Sequence, residues 1–450
     1  MAVWTIAQAS EALREDRLDA DFFKPDDLSH VQEALKAGGQ ALSNLAEVKN
    51  GRTPAFYEKT EEVPVVRSGD LVTPLIFPGN GQAYLRTAQN RQHFSLKTGD
   101  VLISSIGMGS IGKVGIVLEQ ANFVTVSEVS VLRNSSVSPE LLFAYLSTPK
   151  GQAQIERQIT GATGQQHLLK SKVEKIIIPK VGYSIQESVK KRVTLAAVCF
   201  SNAKKEYEEA EAILNAALGL DCPDLVPRLF YEDTFAHAAA VGRFDPEYYQ
   251  PAKWNVLRAL AAMPGKPLEE HFRSVKKLWQ PNEQPSTATV RDYDLTDALM
   301  PFLDDTTPMA TVSEIKSTKK RFEPGDLVVS RLRSYLKEIA VVFPSTGAPL
   351  VGSTEFIVLR SLKTGLSAEA LLVFLRSAPV QTVLKWCQDG SNHPRFAEKE
   401  LLRLPVPDAV VKVQGAICEK IREAITARQE SRRLLDEAKR TVERAIEGGS

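Results

Sequence analysis

Residues 17–25 read RLDADFFKP, and residues 243–251 read RFDPEYYQP. Arg, Asp, an acidic residue, two adjacent aromatic residues and Pro recur in one order, at an offset of 243 − 17 = 226 residues. Three further matches follow in the same order and at nearly the same offset: VRSGDL with VRDYDL, GDVLISS with GDLVVSR, and SEVSVLR with TEFIVLR. An ordered internal repeat indicates that one folded unit occurs more than once. The sequence therefore predicts a tandem duplication.

Each copy ends in a long stretch of helical periodicity, at 184–218 and at 408–450. The apolar residues step by alternating fours and threes, which is the heptad pattern of a helix that packs against another helix. Two matched stretches predict an antiparallel coiled coil, and two amphipathic helices that each pack on their own domain are the alternative. The predicted helix-pairing residues are Val189, Val193, Phe200, Tyr207, Leu214, Ile417, Ile421, Leu435 and Val442.

The predicted fold class is α+β: a tandem duplication of two mixed α/β domains joined by two long helices that form an antiparallel coiled coil. Short β-branched runs such as GDVLISS favour strands, mostly antiparallel, inside each domain. The predicted boundaries are 1–183 for the first domain, 184–218 for the central helix, 219–240 for a linker, 241–407 for the second domain and 408–450 for the distal helix.

Composition limits the class of protein. With 450 residues, 43% of them hydrophobic and 25% charged, the chain resembles ordinary globular proteins. It has no long apolar run and no signal-peptide pattern, so we expect a cytoplasmic protein without a membrane span. The four cysteines lack C-x-x-C spacing, which predicts neither a zinc site nor disulfides. The net charge of +1 means that DNA binding would need local basic clusters or basic partners.

The glycine-rich stretch GMGSIGK at 107–113 fits the G-x-G-x-x-G pattern of nucleotide-binding loops. A phosphate-binding loop of this kind leads into a helix, whose free N–H groups face the anion. The following KVGIVLE (113–119) is rich in β-branched residues and predicts a strand instead. The matching stretch LRSYLKE (332–338) contains no glycine. We therefore predict a turn between strands, and a nucleotide-using enzyme becomes the weaker alternative.

The order of domain, long helix, domain and long helix, with the R-x-D-x-(D/E)-aromatic-aromatic-x-P opening and the GD-Φ-Φ-Φ-S strand (Φ is hydrophobic), resembles the DNA-specificity (S) subunits of type I restriction–modification systems. This resemblance implies that each domain is a target recognition domain for one half of a split site in double-stranded DNA. It also implies that the helices set the spacing between the halves and dock two methyltransferase (M) subunits.

The same resemblance implies that this chain has no catalytic residues and binds no cofactor or metal itself. S-adenosylmethionine would lie on the partner methyltransferase subunits, and restriction (R) motor-nuclease subunits would join where a system has them. The sequence contains no N-P-P-Y or D-P-P-Y stretch of the kind found in adenine methyltransferases, which agrees with a dependent subunit. A coiled-coil scaffold with two protein-binding domains is the alternative that does not read DNA.

Candidate DNA contacts are polar side chains in loops, because Arg pairs best with guanine, Asn or Gln pairs with adenine, and Lys, Arg and hydroxyls reach phosphates. In the first domain the candidates are Arg67, Arg86, Asn90, Arg91, Ser104, Ser105, Lys113, Gln165, Gln166 and His167. In the second they are Arg291, Lys319, Lys320, Arg321, Arg331, Arg333, Tyr335, Lys337, Asn392, His393 and Arg395. For each of them, an ordinary solvated surface residue is the alternative.

Two pairs of features recur at matching places. GATGQQH (161–167) and DGSNHPR (389–395) both place amides and a histidine after a glycine, which favours a shared role. The paired aromatic residues at 22–23 and 248–249 precede a proline and an amphipathic helix. We expect them to pack inside each domain, as anchors to the helices or to a partner, rather than to stack on bases.

Overall fold

The computed structural model describes residues 12–13, 15, 17–54, 63–72, 75–76, 83–85, 94–107, 109–119, 122–161, 166–219, 225–305, 307–343, 347–362 and 365–448. The chain divides into two compact units, and each unit takes part of each long helix. Unit 1 consists of Met1–Ser201 with Ala427–Ser450, and unit 2 consists of Asn202–Thr426.

Unit 1 contains short strands and helices followed by the start of a long helix. The strands are β1 (Gln40–Ala41), β2 (Glu47–Asn50), β3 (Val63–Val66), β4 (Leu75–Ile76), β5 (Ala83–Leu85), β6 (Phe94–Ser95), β7 (Val101–Ser104), β8 (Val114–Val117), β9 (Val124–Thr125), β10 (Val129–Arg133) and β11 (Ile177–Ile178). The helices are α1 (Pro25–Lys36), α2 (Pro139–Leu146), α3 (Pro149–Gln158), α4 (Lys170–Val173) and the long α5 (Tyr183–Leu218).

Unit 2 repeats this order. Its strands are β12 (Gly265–Pro267), β13 (Phe272–Val275), β14 (Leu278–Trp279), β15 (Thr289–Tyr293), β16 (Phe302–Leu303), β17 (Met309–Thr311), β18 (Lys319–Phe322), β19 (Leu327–Ser330), β20 (Ile339–Val342), β21 (Leu350–Gly352), β22 (Phe356–Ser361), β23 (Gln388–Asp389), β24 (Arg395–Phe396) and β25 (Pro405–Pro407). Its helices are α6 (Phe235–Val241), α7 (Pro251–Ala261), α8 (Ala368–Arg376), α9 (Ala378–Trp386), α10 (Glu398–Leu402) and the long α11 (Asp408–Glu447).

The two units have the same main sheet. Its strand order is β2-β10-β7-β8-β4 in unit 1 and β13-β22-β19-β20-β16 in unit 2. Within each sheet the last pair is parallel, β4 with β8 and β16 with β20, and the other pairs are antiparallel. A shared strand order with the same mixture of directions confirms the predicted tandem duplication and the α+β class.

A second sheet also recurs. In unit 1 its order is β5-β3-β9-β6, and in unit 2 it is β17-β15-β21-β18 with β14 added at the edge. The strands β3 and β9, like β15 and β21, run parallel. The predicted linker at 219–240 includes residues of α6, and the predicted domain boundaries as such stay a prediction.

Equivalent serines cap one helix in each unit. Ser138 accepts a hydrogen bond from the N–H of Leu141 at the start of α2, and Ser367 accepts one from Ala370 at the start of α8. A serine at this position satisfies an N–H that the first helical turn leaves without a partner. In α2 the apolar residues 141–146 are all buried, so this helix forms the core of unit 1 together with the strands.

The long helices pair antiparallel within each unit. In unit 1, Ser431 of α11 donates to the carbonyl of Ala196 at 2.7 Å, and Arg192 pairs with Glu437 at 3.6 Å. The contact nearer the C-terminus of α11 is therefore the one nearer the N-terminus of α5, so the two helices run in opposite directions. In unit 2, the ammonium of Lys420 lies 2.6 Å from Glu206 of α5. These contacts confirm the predicted antiparallel coiled coil.

Most of the predicted helix-pairing residues are buried. Phe200 and Tyr207 are the half-buried ones, and the guanidinium of Arg428 lies 4.1 Å from the ring centre of Phe200. The fully buried ones are Val189, Val193, Leu214, Ile417, Ile421, Leu435 and Val442. Within the described ranges, no helix is both long enough and apolar enough to cross a membrane.

The aromatic pairs lie inside their units, as predicted. Phe22 and Phe23 are buried at an edge-to-face angle, with ring centres 5.0 Å apart. Tyr248 and Tyr249 are also buried, with ring centres 5.3 Å apart. Edge-to-face packing of this kind contributes stability in addition to the apolar area buried. The rings are therefore part of the packing and are not surfaces for bases.

Candidate nucleic-acid interface

The first part of the candidate interface connects two buried strands of the main sheet in each unit. It covers residues 105–112 in unit 1, between β7 and β8, and residues 331–337 in unit 2, between β19 and β20. We call these two segments the turn loops. The predicted connection between two strands at GMGSIGK is confirmed, because β7 and β8 are antiparallel neighbours.

The turn loops begin and end at equivalent points. In unit 1, the N–H of Ser104 donates to the carbonyl of Lys113 at 2.9 Å. In unit 2, the N–H of Ser330 donates to the carbonyl of Glu338 at 2.9 Å. Each turn loop is therefore closed by the same backbone hydrogen bond.

The glycines of the unit 1 turn loop serve its backbone path. Gly107, Gly109 and Gly112 have φ values of 116°, 78° and 83°. These values lie in regions that glycine adopts without steric cost because it has no Cβ. A strand follows the loop, so it offers no helix N-terminus to a phosphate. The glycines are explained by the turn itself.

The unit 2 turn loop follows a similar path without glycine. Arg333 and Lys337 have φ values of 48° and 54°, in the left-handed region, and they flank the short helical turn Ser334–Leu336. Counted from the two closing hydrogen bonds, Arg333 stands where unit 1 has Gly107, and Lys337 stands where it has Gly112. Two basic side chains therefore occupy positions that favour glycine.

The second part of the candidate interface follows the helix pair α2–α3 or α8–α9. In unit 1 it consists of residues 159–161 and 166–168 of the described chain, in unit 2 of residues 387–396, and we call these segments the amide loops. In unit 1, the N–H of Leu168 donates to the carbonyl of Ser105 at 2.9 Å. This hydrogen bond joins the amide loop to the turn loop.

Isolated β-bridges join the two loops at equivalent places in both units. Ile106 pairs with His167 in unit 1, and Leu332 pairs with Arg395 in unit 2. Segments that are far apart in the sequence thus form one surface in each unit. The bridges also show that Arg395 is the structural counterpart of His167, whereas the sequence pattern suggested His393.

A shared carboxylate organises the cluster in unit 2. The guanidinium of Arg331 lies 2.8 Å from Glu355, and that of Arg395 lies 2.9 Å from it. The hydrogen bond from Arg395 lowers the pKa of Glu355, and the hydrogen bond from Arg331 lowers it further against the effect of burial. Glu355 therefore stays ionised and fixes two predicted DNA contacts side by side.

Four further predicted residues lie on the same two loops. The guanidinium of Arg333 lies 3.2 Å from Nδ1 of His393 and 3.5 Å from the carbonyl of Asn392. Tyr335, at the tip of the turn loop, is 54% exposed. The turn loop and the amide loop of unit 2 therefore present cations, an imidazole and an aromatic ring on one surface.

Arg291 does not belong to this surface. Arg291 is only 7% exposed, and its guanidinium donates to the carbonyls of Asp305 and Thr307. It also pairs with the carboxylate of Asp305 at 3.3 Å. Arg291 thus ties β15 to the loop after β16, and the prediction that it contacts DNA is corrected.

The three basic residues of β18 also differ in their contacts and exposure. Lys319 pairs with Asp292 at 2.7 Å, and the ammonium of Lys320 donates to the carbonyl of Phe356 at 2.5 Å. Burial lowers the pKa of Lys320. Arg321, on the face of the strand opposite Lys320, is exposed. Two of these three cations therefore stabilise the sheet, and Arg321 remains a surface candidate.

The two serines predicted to bind DNA in unit 1 are buried. Ser104 is 0% exposed and donates to the carbonyl of Ile106, and Ser105 is 4% exposed and shares a hydrogen bond with Ser130 at 2.7 Å. Both hydroxyls make hydrogen bonds within the protein at the end of β7, so the prediction that these serines contact DNA is corrected.

The remaining candidates of unit 1 are at or near the surface. Arg67 pairs with Asp70 at 3.2 Å in its own turn, Lys113 is half-buried, Gln166 is exposed and His167 is half-buried. The candidates that lie outside the described residues are Arg86, Asn90, Arg91 and Gln165.

Glu355 is the residue that sequence reasoning missed. A signal existed, because the matched segments SEVSVLR and TEFIVLR align Glu128 with Glu355. The carbonyl of Glu128 accepts the N–H of Ser105 at 2.8 Å, and the carbonyl of Glu355 accepts that of Arg331 at 3.2 Å. The backbone carbonyls of these two glutamates thus support the start of each turn loop, and in unit 2 the carboxylate of Glu355 also binds two arginines. Over the described residues, no group of His, Cys, Asp and Glu side chains could hold a metal ion.

Comparisons with known proteins agree with the sequence resemblance. A family model described as type I restriction modification DNA specificity domain matches residues 40–192. The match begins at β1 and ends inside α5, so it spans the main sheet of unit 1, its turn loop and its amide loop. A search of the curated proteins found no significant match.

Two solved structures are similar to this chain. The S subunit of a type I restriction-modification system from M. genitalium has 14% sequence identity and a TM-score of 0.40, with 90% of this chain and 95% of that chain covered. The HsdS subunit from Thermoanaerobacter tengcongensis has 14% identity and a TM-score of 0.29, with 92% of this chain and 97% of that chain covered.

The family match and the duplicated topology cover different parts of the chain. The family match lies in unit 1 and the first part of α5, and unit 2, which lies outside it, has the same strand order in its main sheet. Residues 40–192 therefore match the type I restriction modification DNA specificity domain, the family that the sequence resembles.

Proposed function

We propose that this chain is the DNA-specificity subunit of a type I restriction–modification complex, in which each unit reads one part of a bipartite target in double-stranded DNA. One observation carries the proposal: each unit joins a turn loop to an amide loop by the same bridge, while the side chains on the two loops differ. Equivalent loops with different side chains suit two readers of two different half-sites.

The chemistry of the unit 2 loops suits base edges and phosphates. Arg331, Arg333 and Arg395 offer planar donors, which match the paired acceptors of guanine and the oxygens of phosphate. Asn392 and His393 are exposed beside them. The chain as a whole is nearly neutral, so most of the salt-dependent attraction to DNA would come from partner subunits.

The chain would act without catalysis of its own. In this proposal two methyltransferase subunits carry S-adenosylmethionine and modify the DNA, and restriction subunits cut it where the system includes them. The paired helices would dock these partners, and the length of the helices would set the gap between half-sites. The cytoplasmic location also stays a prediction.

A separate surface of unit 2 supports a protein partner. Leu229, Phe230 and Phe235 are 91%, 90% and 77% exposed. Exposed apolar side chains concentrated in one segment are typical of protein contact sites. The neighbouring Glu232 and Glu247 are exposed and would repel DNA phosphates. We assign this surface to a partner subunit and the basic loops to DNA.

Co-expression with the genes that neighbour this one, followed by mapping of methylated bases across the host genome, tests the proposal. We expect one bipartite motif with a constant gap. Replacing residues 1–183 by the corresponding segment of another specificity subunit should change one half of the motif and leave the other half intact. A complex that assembles but methylates no bipartite motif would favour the coiled-coil scaffold.

A further inference from the structure

The arginine of the repeated opening motif has a double set of contacts in unit 1. The guanidinium of Arg17 donates to both carboxylate oxygens of Asp19, at 2.5 and 2.9 Å. It lies 4.8 Å from the ring centre of Phe22. Its Nη2 also donates to the carbonyl of Ile159 at 3.1 Å, and Ile159 is the first residue of the amide loop.

The same geometry occurs in unit 2. Arg243 donates to both carboxylate oxygens of Asp245, at 2.8 and 2.6 Å, and lies 4.4 Å from the ring centre of Tyr248. Its remaining donors reach the carbonyls of Cys387 at 2.9 Å and Gln388 at 3.1 Å. These two residues begin the amide loop of unit 2. The motif therefore contacts the same segment in both copies.

We propose that Arg17 and Arg243 are positioning residues, each of which fixes the start of the amide loop in its own unit. This inference rests on the proposed function, because the amide loop is there assigned to DNA reading. The carboxylate and the ring hold the guanidinium, and the guanidinium holds a backbone segment that is more than a hundred residues away in the sequence. The repeated motif thus links the beginning of each unit to its reading surface.

An arginine is required for this arrangement. The guanidinium presents five N–H donors in one plane, so it can bind a carboxylate with two of them and a carbonyl with another. A lysine retains the charge and the contact with the ring, but its ammonium is a point charge without the fork. An ion pair between residues so close in sequence adds little stability by itself. The contribution specific to arginine is therefore the hydrogen bond to the loop.

The test uses the full chain with its methyltransferase partners and the variants Arg17→Lys and Arg243→Lys. We expect faster amide hydrogen exchange at residues 159–161 and 166–168 only in the first variant, and at 387–396 only in the second. Methylation maps should show about a ten-fold loss of base discrimination in one half of the target, a different half for each variant, in line with a lost hydrogen bond to a charged group. The effect should be larger for Arg243, which donates to two carbonyls.

Matched controls separate positioning from general stability. Arg440→Lys in unit 1 and Arg273→Lys in unit 2 change exposed arginines outside the loops and should alter neither measurement. Unchanged exchange in the amide loops, or unchanged discrimination in a correctly assembled complex, would overturn the inference. Equal weakening of both half-sites would overturn it as well. If the wild-type complex methylates no bipartite target, the proposed function fails, and hydrogen exchange alone still decides whether the arginines position the loops.

Discussion

The two turn loops solve one backbone problem with different residues. Unit 1 places Gly107 and Gly112 where the backbone takes positive φ, and unit 2 places Arg333 and Lys337 there. A non-glycine residue in the left-handed region costs about 1–2 kcal/mol. Unit 2 therefore keeps two cations at the expense of stability, whereas unit 1 has the less strained loop. We therefore expect the turn loop to contribute more side chains to recognition in unit 2 than in unit 1.

The largest expected effect comes from giving unit 1 the side chain of unit 2. Gly107→Arg should destabilise unit 1 by about 2–3 kcal/mol, because a φ of 116° lies outside the range that a residue with Cβ adopts without strain. The measurement is the urea concentration at which the amides of β7 and β8 lose protection from exchange. Gly69→Arg is the control, since a Cβ at Gly69 would meet no atom within 4 Å. Equal losses in both variants would contradict the role of the backbone.

A second contrast lies at the aromatic pairs. In unit 1 the guanidinium of Arg157 lies 3.7 Å from the ring centre of Phe22, and in unit 2 the ammonium of Lys253 lies 2.9 Å from that of Tyr248. Both units thus place a cation against the first aromatic ring, but from different helices. The residue in unit 1 that corresponds to Lys253 is Asp27, since 253 − 226 = 27.

This contrast predicts a pH dependence that belongs to unit 2. Burial lowers the pKa of Lys253 to about 8 from 10.5, and the neighbouring Cys387 and Glu400 oppose this shift. Between these two pH values the unfolded chain binds more protons at this lysine than the folded chain, so the contribution of Lys253 to the free energy of unfolding should rise with pH there, by about 2 kcal/mol. Lys253→Met should abolish this rise in urea unfolding at a series of pH values. An identical pH profile in the variant would show that Lys253 titrates normally.

The carboxylates at the loop bases offer a third contrast. Glu355 holds two arginines, whereas its counterpart Glu128 accepts a hydrogen bond from the hydroxyl of Thr53 at 3.1 Å. Glu355→Gln should destabilise unit 2 by about 1 kcal/mol, because its partners are partly exposed, and should weaken recognition of the second half-site. Glu128→Gln should change unit 1 by a few tenths of a kcal/mol at most. Melting of the two variants, with methylation assays on single half-site substitutions, checks the difference.

The smallest expected effect is a gain of stability. Arg333→Gly should stabilise unit 2 by about 0.5–1 kcal/mol, because relief of the left-handed strain exceeds the added freedom of the unfolded chain. Tyr335→Gly, two residues away at an ordinary φ, should instead destabilise it by a similar amount. Thermal melting measures both variants. A loss of stability in Arg333→Gly would show that the backbone there is not strained.

The larger features could be predicted because they repeat in the sequence. The duplication, the strands on either side of GMGSIGK and the two long helices each carry a local pattern of hydrophobic residues. A local pattern cannot give the partners of a polar side chain. Ser104 and Arg291 have the chemistry of DNA contacts, yet both are buried, because their partners come from other segments of the fold.

A local sequence pattern also could not predict that the turn loop and the amide loop meet in each unit. His167 and Arg395 each pair with a turn loop that lies far away in the sequence. The matching glycines at 161 and 390 indicated that the two amide loops correspond. The histidine in each loop suggested that His393 is the counterpart of His167, whereas the β-bridges give Arg395 that place. Glu355 lies in the repeated segment TEFIVLR, but its role could not be predicted there, because a carboxylate does not suggest a DNA contact.

The central claim is that equivalent loops in the two units read separate halves of one target. Methylation mapping of the assembled complex with Arg333→Asn, compared with the double variant Gln166→Ala, His167→Ala, tests it most directly, since asparagine tolerates the left-handed backbone. We predict that the first variant alters base preference only in one half of the motif and the second only in the other half. Changes in the same half from both variants, or no change from either in a complex that still methylates, would contradict the account.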